Sequence, residues 1–175
     1  HTWPDQDFVA YVDPRTAKFQ VNFGLDREGM VDYHSGGNVS FKRTALKNTG
    51  PFDHHYIGNA LYEEIDYARR LQSAGFQIFF EPKAHLVHHR ESSGGTRREG
   101  EIRYYFAKFY NTGYFYFKHL DAKRPGKFLK AAKDEIEFYT RQQGGHHWVK
   151  AAAYFAGVVL GGLRGILNRP KAAAK

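Results

Sequence analysis

"NALYEEIDYARRLQSAGFQIFF", Asn59 to Phe80, reads as a helix followed at once by a strand. Glu64, Tyr67, Ala68 and Leu71 fall at i, i+3, i+4 and i+7, so they share one helical face. Gly75 stands where a left-handed terminator belongs. Three carboxylates, Glu63, Glu64 and Asp66, crowd the first turns. Acidic residues there favour the helix dipole by ~0.3–1 kcal/mol each. Asp66 can also pair with Arg69 or Arg70 at i+3 or i+4. These effects account for Glu63 and Asp66. They account less well for Glu64, whose face is mostly apolar, because a carboxylate turned inward needs a cationic or catalytic neighbour.

Working outward, Phe8 to Val12 and the alternating Lys18 to Phe23 are short strands. "MVDYHSGGNVSFKR" is a strand, a glycine turn, and a second strand or helix start. Lys42 to Asn48 is a short helix stopped near Gly50-Pro51. "FQIFF" and "HLVHH" make two apolar strands around Glu81-Pro82, and "ESSGGTRREG" is a loop by composition. The character then changes. Glu101 to Leu120 is a helix with nine aromatics between Tyr104 and Phe117. Lys127 to Gln142 is an amphipathic helix with Phe128, Ala131, Ala132, Ile136 and Tyr139 on one face. Trp148 to Leu167 is the last element, with no charge from Ala151 to Leu163. The fold class that follows is α/β, with a mainly helical extension. The expected division is residues 1–98, an α/β portion, and 99–175, a basic aromatic-rich helical extension.

Composition narrows the function. The chain of 175 residues has no cysteine, which excludes a disulfide scaffold, a Cys-based zinc site and a thiol nucleophile. Residues 1–96 hold 10 Lys and Arg against 12 Asp and Glu, a net of −2. Residues 97–175 hold 16 against 6, a net of +10. So uneven a charge points to an anionic membrane surface or a polyanion as partner for the second half. No basic stretch carries a nucleic-acid reading motif, so nucleic acid is not an expected partner. The uncharged run of thirteen residues is shorter than the roughly 20 needed to span a bilayer. Lys150 and Arg164 bracket it, and Gly157, Gly161 and Gly162 weaken an isolated helix, so an interfacial helix is expected.

Two smaller constellations bear on chemistry. Gly36-Gly37-Asn38 in "HSGGNVSF" permits close backbone approach to a ligand and offers a two-sided amide. In "PKAHLVHHR", a strand puts His85 and His89 on one face and His88 on the other. A divalent ion held by carboxylates and an imidazole would suit a phosphate-bearing substrate.

In combination these stretches resemble the second half of the catalytic domain of family 2 glycosyltransferases, of GT-A fold. The residues that carry the resemblance are "GGNVSFKR", the turn Gly50-Pro51-Phe52-Asp53, the acidic pair Glu63-Glu64 followed by Asp66, Arg70-Leu71 and Gly75, and then Pro82, Ala84 and His88. They span Tyr33 to Arg98, a little over a third of the chain. The resemblance implies an enzyme that transfers a sugar from a nucleotide diphosphate sugar to a glycan or lipid-linked acceptor with inversion. Glu64 takes the position of the general base, one methylene longer than the usual Asp. Glu63 and Asp66 are its acidic companions. The resemblance further implies Mg2+ or Mn2+ at the diphosphate with His88 as a ligand. It places Gly36, Gly37, Asn38, Arg70 and Arg97 on the substrate side, with Arg98 an alternative to Arg97. It implies a cytoplasmic, peripheral position at the inner face of the cell membrane, as in polysaccharide biosynthesis.

The family's first half carries the nucleotide-binding units and a D-x-D metal motif. Asp5-Gln6-Asp7 has that spelling but does not end a convincing strand and lies too close to the acidic pair, so it is read as chance. The chain opens on His1 in mid-pattern, and the expectation is a fragment with little activity alone. The alternative from another class is a non-catalytic membrane-surface or polyanion-binding module that keeps a glycosyltransferase-like scaffold.

Overall fold

Ala10–Val12 (β1) and Phe19–Val21 (β2) form an antiparallel pair, Ala10 opposite Val21 and Val12 opposite Phe19. The computed structural model that shows this describes residues 8–87, 100–120, 123–142 and 147–170. The chain forms two compact units. The first holds the described residues up to Asp13, then Lys18–Asp53 and residues 63–87. The second holds Pro14–Ala17, His54–Tyr62 and the described residues from 100 onward.

In the first unit, a second antiparallel pair joins Gly29–Met30 (β3) to Phe79–Phe80 (β4). Asp32 links the two pairs: its amide donates to the Ala10 carbonyl at 3.0 Å, and its Oδ2 accepts from the Val12 amide at 2.9 Å. Mixed α/β content therefore stands, but as two small sheets rather than one larger one. The strand expected across His85 to His89 is a correction. Its described part, His85 to Val87, is irregular and exposed. Pro82 has no amide proton, and the Glu81 turn, in which the Ala84 amide returns to the Glu81 carbonyl at 3.1 Å, ends the pairing. His88 and His89 lie outside the described residues, as do Asp5-Gln6-Asp7.

Two helices cover this unit, Arg43–Thr49 (α1) and Glu63–Ser73 (α2). α2 ends as its sequence requires. Gly75 takes φ 85°, its amide returns to the Gln72 carbonyl at 3.0 Å, and the Phe76 amide returns to Leu71 at 3.0 Å. Phe76 then packs on the cluster of Ala45, Tyr67 and Leu71, with Phe41. Phe52 stacks on Tyr67 at 4.4 Å.

The second unit is helical: Glu101–His119 (α3), Gly126–Gln142 (α4) and His147–Leu167 (α5). α4 buries Phe128, Ala132, Ile136 and Thr140, a stripe at intervals of four, and Phe128 stacks on Tyr116 at 4.0 Å. α5 runs parallel to α3. Methyl groups at Gly157, Gly161 and Gly165 would strike the carbonyl oxygens of Phe106, Tyr110 and Tyr114 in turn. Of the glycines expected to weaken α5, Gly157 and Gly161 form, with Gly165, the face on which it approaches another backbone, while Gly162 faces the Phe117 ring. Asn111, fully buried, clamps the 54–62 segment: its Nδ2 donates to the Ile57 carbonyl and its Oδ1 accepts the Ile57 amide, both at 2.9 Å. Tyr62 stacks on Phe115 at 5.1 Å, and its hydroxyl donates to the Ala17 carbonyl at 2.9 Å.

Candidate active site

Glu64 and Gly36 are 28 residues apart and meet in space. Glu64 lies in the first turn of α2, where three acidic side chains face the amide end of the helix. Its Oε1 accepts the Gly36 amide proton at 2.7 Å. A Cβ at position 36 would clash with that oxygen, whereas one at Gly37 would meet only Ser35 Oγ, at 3.9 Å. The close backbone approach read from the glycine pair therefore exists, and the group approached is Glu64's own carboxylate. Among the described residues, Oε2 accepts no hydrogen bond.

The electrostatics of the pair follow from depth. Burial raises the pKa of Glu64 above the ordinary carboxylate value, and the Gly36 amide partly opposes this. Burial likewise raises Glu63, with the neighbouring Glu64 charge adding to it. Tyr33 is pushed upward, first by burial and then by the charges of Glu64 and Asp32, so it stays a neutral phenol. Its hydroxyl donates to the Gln20 carbonyl at 2.8 Å, and its ring packs edge-on against Phe19 and Phe23. The site thus has a proton-accepting carboxylate beside a phenol that does not compete for the role.

Asp66 lies deeper than its sequence signals. The expected pairing with Arg70 forms, but Asp66 is the most deeply buried of the three acids, at 0% exposure, while Glu63 and Glu64 are half-buried. Arg70 makes that depth tolerable, with Nε 2.8 Å from Asp66 Oδ2. The guanidinium also donates through Nη1 to the Thr49 carbonyl at 3.0 Å and lies 4.9 Å from the Tyr67 ring centroid. Arg70 is thus engaged inside the protein as a brace between α2 and the end of α1, and its remaining nitrogen, Nη2, is buried without a partner.

Gly36, Gly37 and Asn38 are exposed together beside Glu64. Asn38 Nδ2 donates to the Ala84 carbonyl at 2.6 Å, tying the glycine turn to the Glu81–Ala84 turn. Arg97, Arg98 and His88 lie outside the described residues. Among the described residues, the grouping of His and acidic side chains able to share an ion is the consecutive Asp53, His54 and His55, with ligand atoms within 4.8 Å of one another. It does not include Glu63 or Glu64, and partly exposed groups of this kind are common without a metal.

Two features escaped the sequence reading. Tyr62, immediately before Glu63, takes φ 78°, and Ala60 takes φ 53°, both in the left-handed region that non-glycine residues rarely occupy. Nothing in their residue types signals it. His34 is buried between the edges of Phe41 and Tyr67, at centroid distances of 5.1 and 6.4 Å, and neither ring nitrogen makes a well-formed hydrogen bond. Burial lowers its pKa, the adjacent Ser35 backbone offsetting this in part. No family model, no curated protein and no solved structure matches this chain.

Proposed function

We propose that the protein is, or is part of, an inverting glycosyltransferase of family 2 and GT-A type, with Glu64 as general base. The observation that carries the proposal is the setting of Glu64. It is a half-buried carboxylate of raised proton affinity, fixed through one oxygen by the Gly36 amide, with the other oxygen unengaged among the described residues. A base with one oxygen anchored and one left to accept a proton matches what deprotonating a hydroxyl requires.

In this mechanism the acceptor hydroxyl gives its proton to Glu64. The freed oxygen bonds to the anomeric carbon of a nucleotide diphosphate sugar, and the bond from that carbon to the diphosphate breaks with its electron pair. Glu63 stands beside the base, its own proton affinity raised by burial and then by the Glu64 charge. Gly36 holds the base in place. Asn38 keeps the glycine turn beside it. Asp66 and Arg70 keep α2 seated, and neither contacts the reacting atoms in this scheme. Mg2+ or Mn2+ would balance the charge of the leaving diphosphate. The described residues around Glu64 do not form a ligand set for it, and no step here is routed through it.

The test uses the product of the complete reading frame with a panel of nucleotide sugars, following release of nucleoside diphosphate. Glu64→Gln keeps the size of the side chain and its acceptor for the Gly36 amide. The rate should fall about 10²–10⁴-fold, the usual worth of general base catalysis. Stability at neutral pH should not fall. A carboxylate with a raised folded pKa costs stability once pH has risen from the ordinary 4.5 through the folded value, and the amide removes that cost. Near-normal turnover in Glu64→Gln, or no donor hydrolysed by the wild type, removes the proposal.

A further inference from the structure

α5 has two opposed faces. The inner one is closed: Gly157, Gly161 and Gly165 lie on α3, and Lys150 Nζ, on a buried side chain, pairs with Glu101 Oε2 at 2.9 Å. The outer one is apolar and open. Trp148, at 88% exposure, begins a strip continued by Phe155, Val159, Leu160 and Leu163, all exposed. No charged side chain is exposed between Trp148 and Leu163, because the lone charged residue there, Lys150, is turned inward. At 1.5 Å per residue the strip runs about 24 Å. A contiguous exposed apolar surface of this length marks an interaction site.

Charge identifies what covers it. α3 and α5 run parallel and α4 returns between their ends, so the start of α4 and the end of α5 meet at one end of the helical unit. Arg169 Nη2 donates to the Leu120 carbonyl at 2.9 Å and confirms the placement. That end exposes Lys123, Arg124, Lys127, Arg164 and Arg169. The described residues 123–129 and 164–170 include no acid. Among the described residues, the same end of a second copy would bring it only like charge.

We propose that the outer face of α5 docks on an anionic phospholipid surface. The helix lies in the plane of the interface, with the strip from Trp148 to Leu163 in the acyl boundary and the cationic end on the headgroups. By length and composition α5 is long enough and apolar enough to cross a bilayer. Backbone contact with α3 along the glycine face keeps lipid from surrounding it, so the helix lies on the membrane. This inference is independent of the transferase proposal.

The test is co-sedimentation of the full chain with vesicles of phosphatidylcholine alone or with about 30% phosphatidylglycerol added. Binding is expected only to the anionic vesicles, weakening about tenfold as salt rises from about 0.1 to about 0.5 M. Phe155→Glu with Leu163→Glu should reduce binding on the order of tenfold or more while circular dichroism and Tm stay unchanged, since both positions are exposed. Lys127→Glu with Arg164→Glu, also at exposed positions, should weaken binding to anionic vesicles by a similar factor. In a Trp3→Phe background, Trp148 fluorescence should shift to the blue on anionic vesicles. Failure to bind, equal binding to neutral vesicles, or wild-type binding by the Phe155/Leu163 variant overturns the proposal. So does self-association in sedimentation velocity that Leu163→Glu abolishes, which would make a second copy the occupant.

Discussion

Gly36→Ala and Gly37→Ala should behave differently, although the two glycines are adjacent and both exposed. Neither has a backbone angle that demands glycine, so any difference arises from what a methyl group meets. At Gly37 it meets ordinary contact at 3.9 Å with Ser35 Oγ, and Gly37→Ala should be silent. At Gly36 it meets Glu64 Oε1, which has to retreat by about an ångström to regain normal contact. The retreat lengthens the 2.7 Å bond from the Gly36 amide, a charge-assisted bond worth about 1.5–3 kcal/mol. A misplacement of about 1 Å at a reacting group can cost about 10²-fold in rate. Gly36→Ala should therefore lower kcat about 10²-fold with little change in donor affinity. A second readout does not depend on turnover: carboxyl carbon NMR should show the Glu64 titration move in Gly36→Ala and stay fixed in Gly37→Ala. Equal rates in both variants, with an unmoved Glu64 titration, would refute the idea that Gly36 seats this carboxylate.

Asp66→Asn leaves the Arg70 guanidinium partly buried without its counter-charge and should cost about 3 kcal/mol in denaturant unfolding; loss of rate without loss of stability would instead make Asp66 a chemical participant. Asn111→Leu strips both partners from Ile57, at about 1–3 kcal/mol for each buried polar group left unpaired, and a loss of about 3 kcal/mol is expected in thermal melts. His34 is held neutral, so between its ordinary value of 6.5 and its lower folded value the unfolded chain binds more protons than the folded one. Stability should fall as pH drops below about 6.5, and His34→Phe, placed against Phe41 and Tyr67, should flatten that dependence in melts from neutral to mildly acid pH.

Periodic patterns were legible and pairings across the chain were not. Glu101–His119, Gly126–Gln142 and His147–Leu167 fall within one or two residues of their predicted spans, because long helices impose a repeat on the sequence. The strands were overestimated. Pairs of two or three residues barely register as alternation, and Pro82 stopped one of them early. Glu64 was identified by a mismatch of charge and face, but its anchor was invisible, since no spacing rule links residues 36 and 64. The depth of Asp66 was missed for a different reason. A carboxylate four residues before an arginine reads the same whether the pair is in water or sealed in the protein. Gly157 and Gly161 were read as weakening an isolated helix, and in the fold they let α5 reach the backbone of α3.

The clamp on Ile57 bears on how this chain could be divided. Residues 14–17 and 54–62 belong with the helices from 101 onward, so the chain passes between its two units five times. A polypeptide begun at residue 99 would leave the Asn111 amide facing nothing and strip Tyr56 and Tyr62 from Tyr114 and Phe115. Its aromatic interior would be open along one side before any lipid was offered. The basic helical arm is therefore not a cassette that one genetic fusion near residue 99 could attach or remove, and changes at residues 14–17 and 54–62 act on it directly.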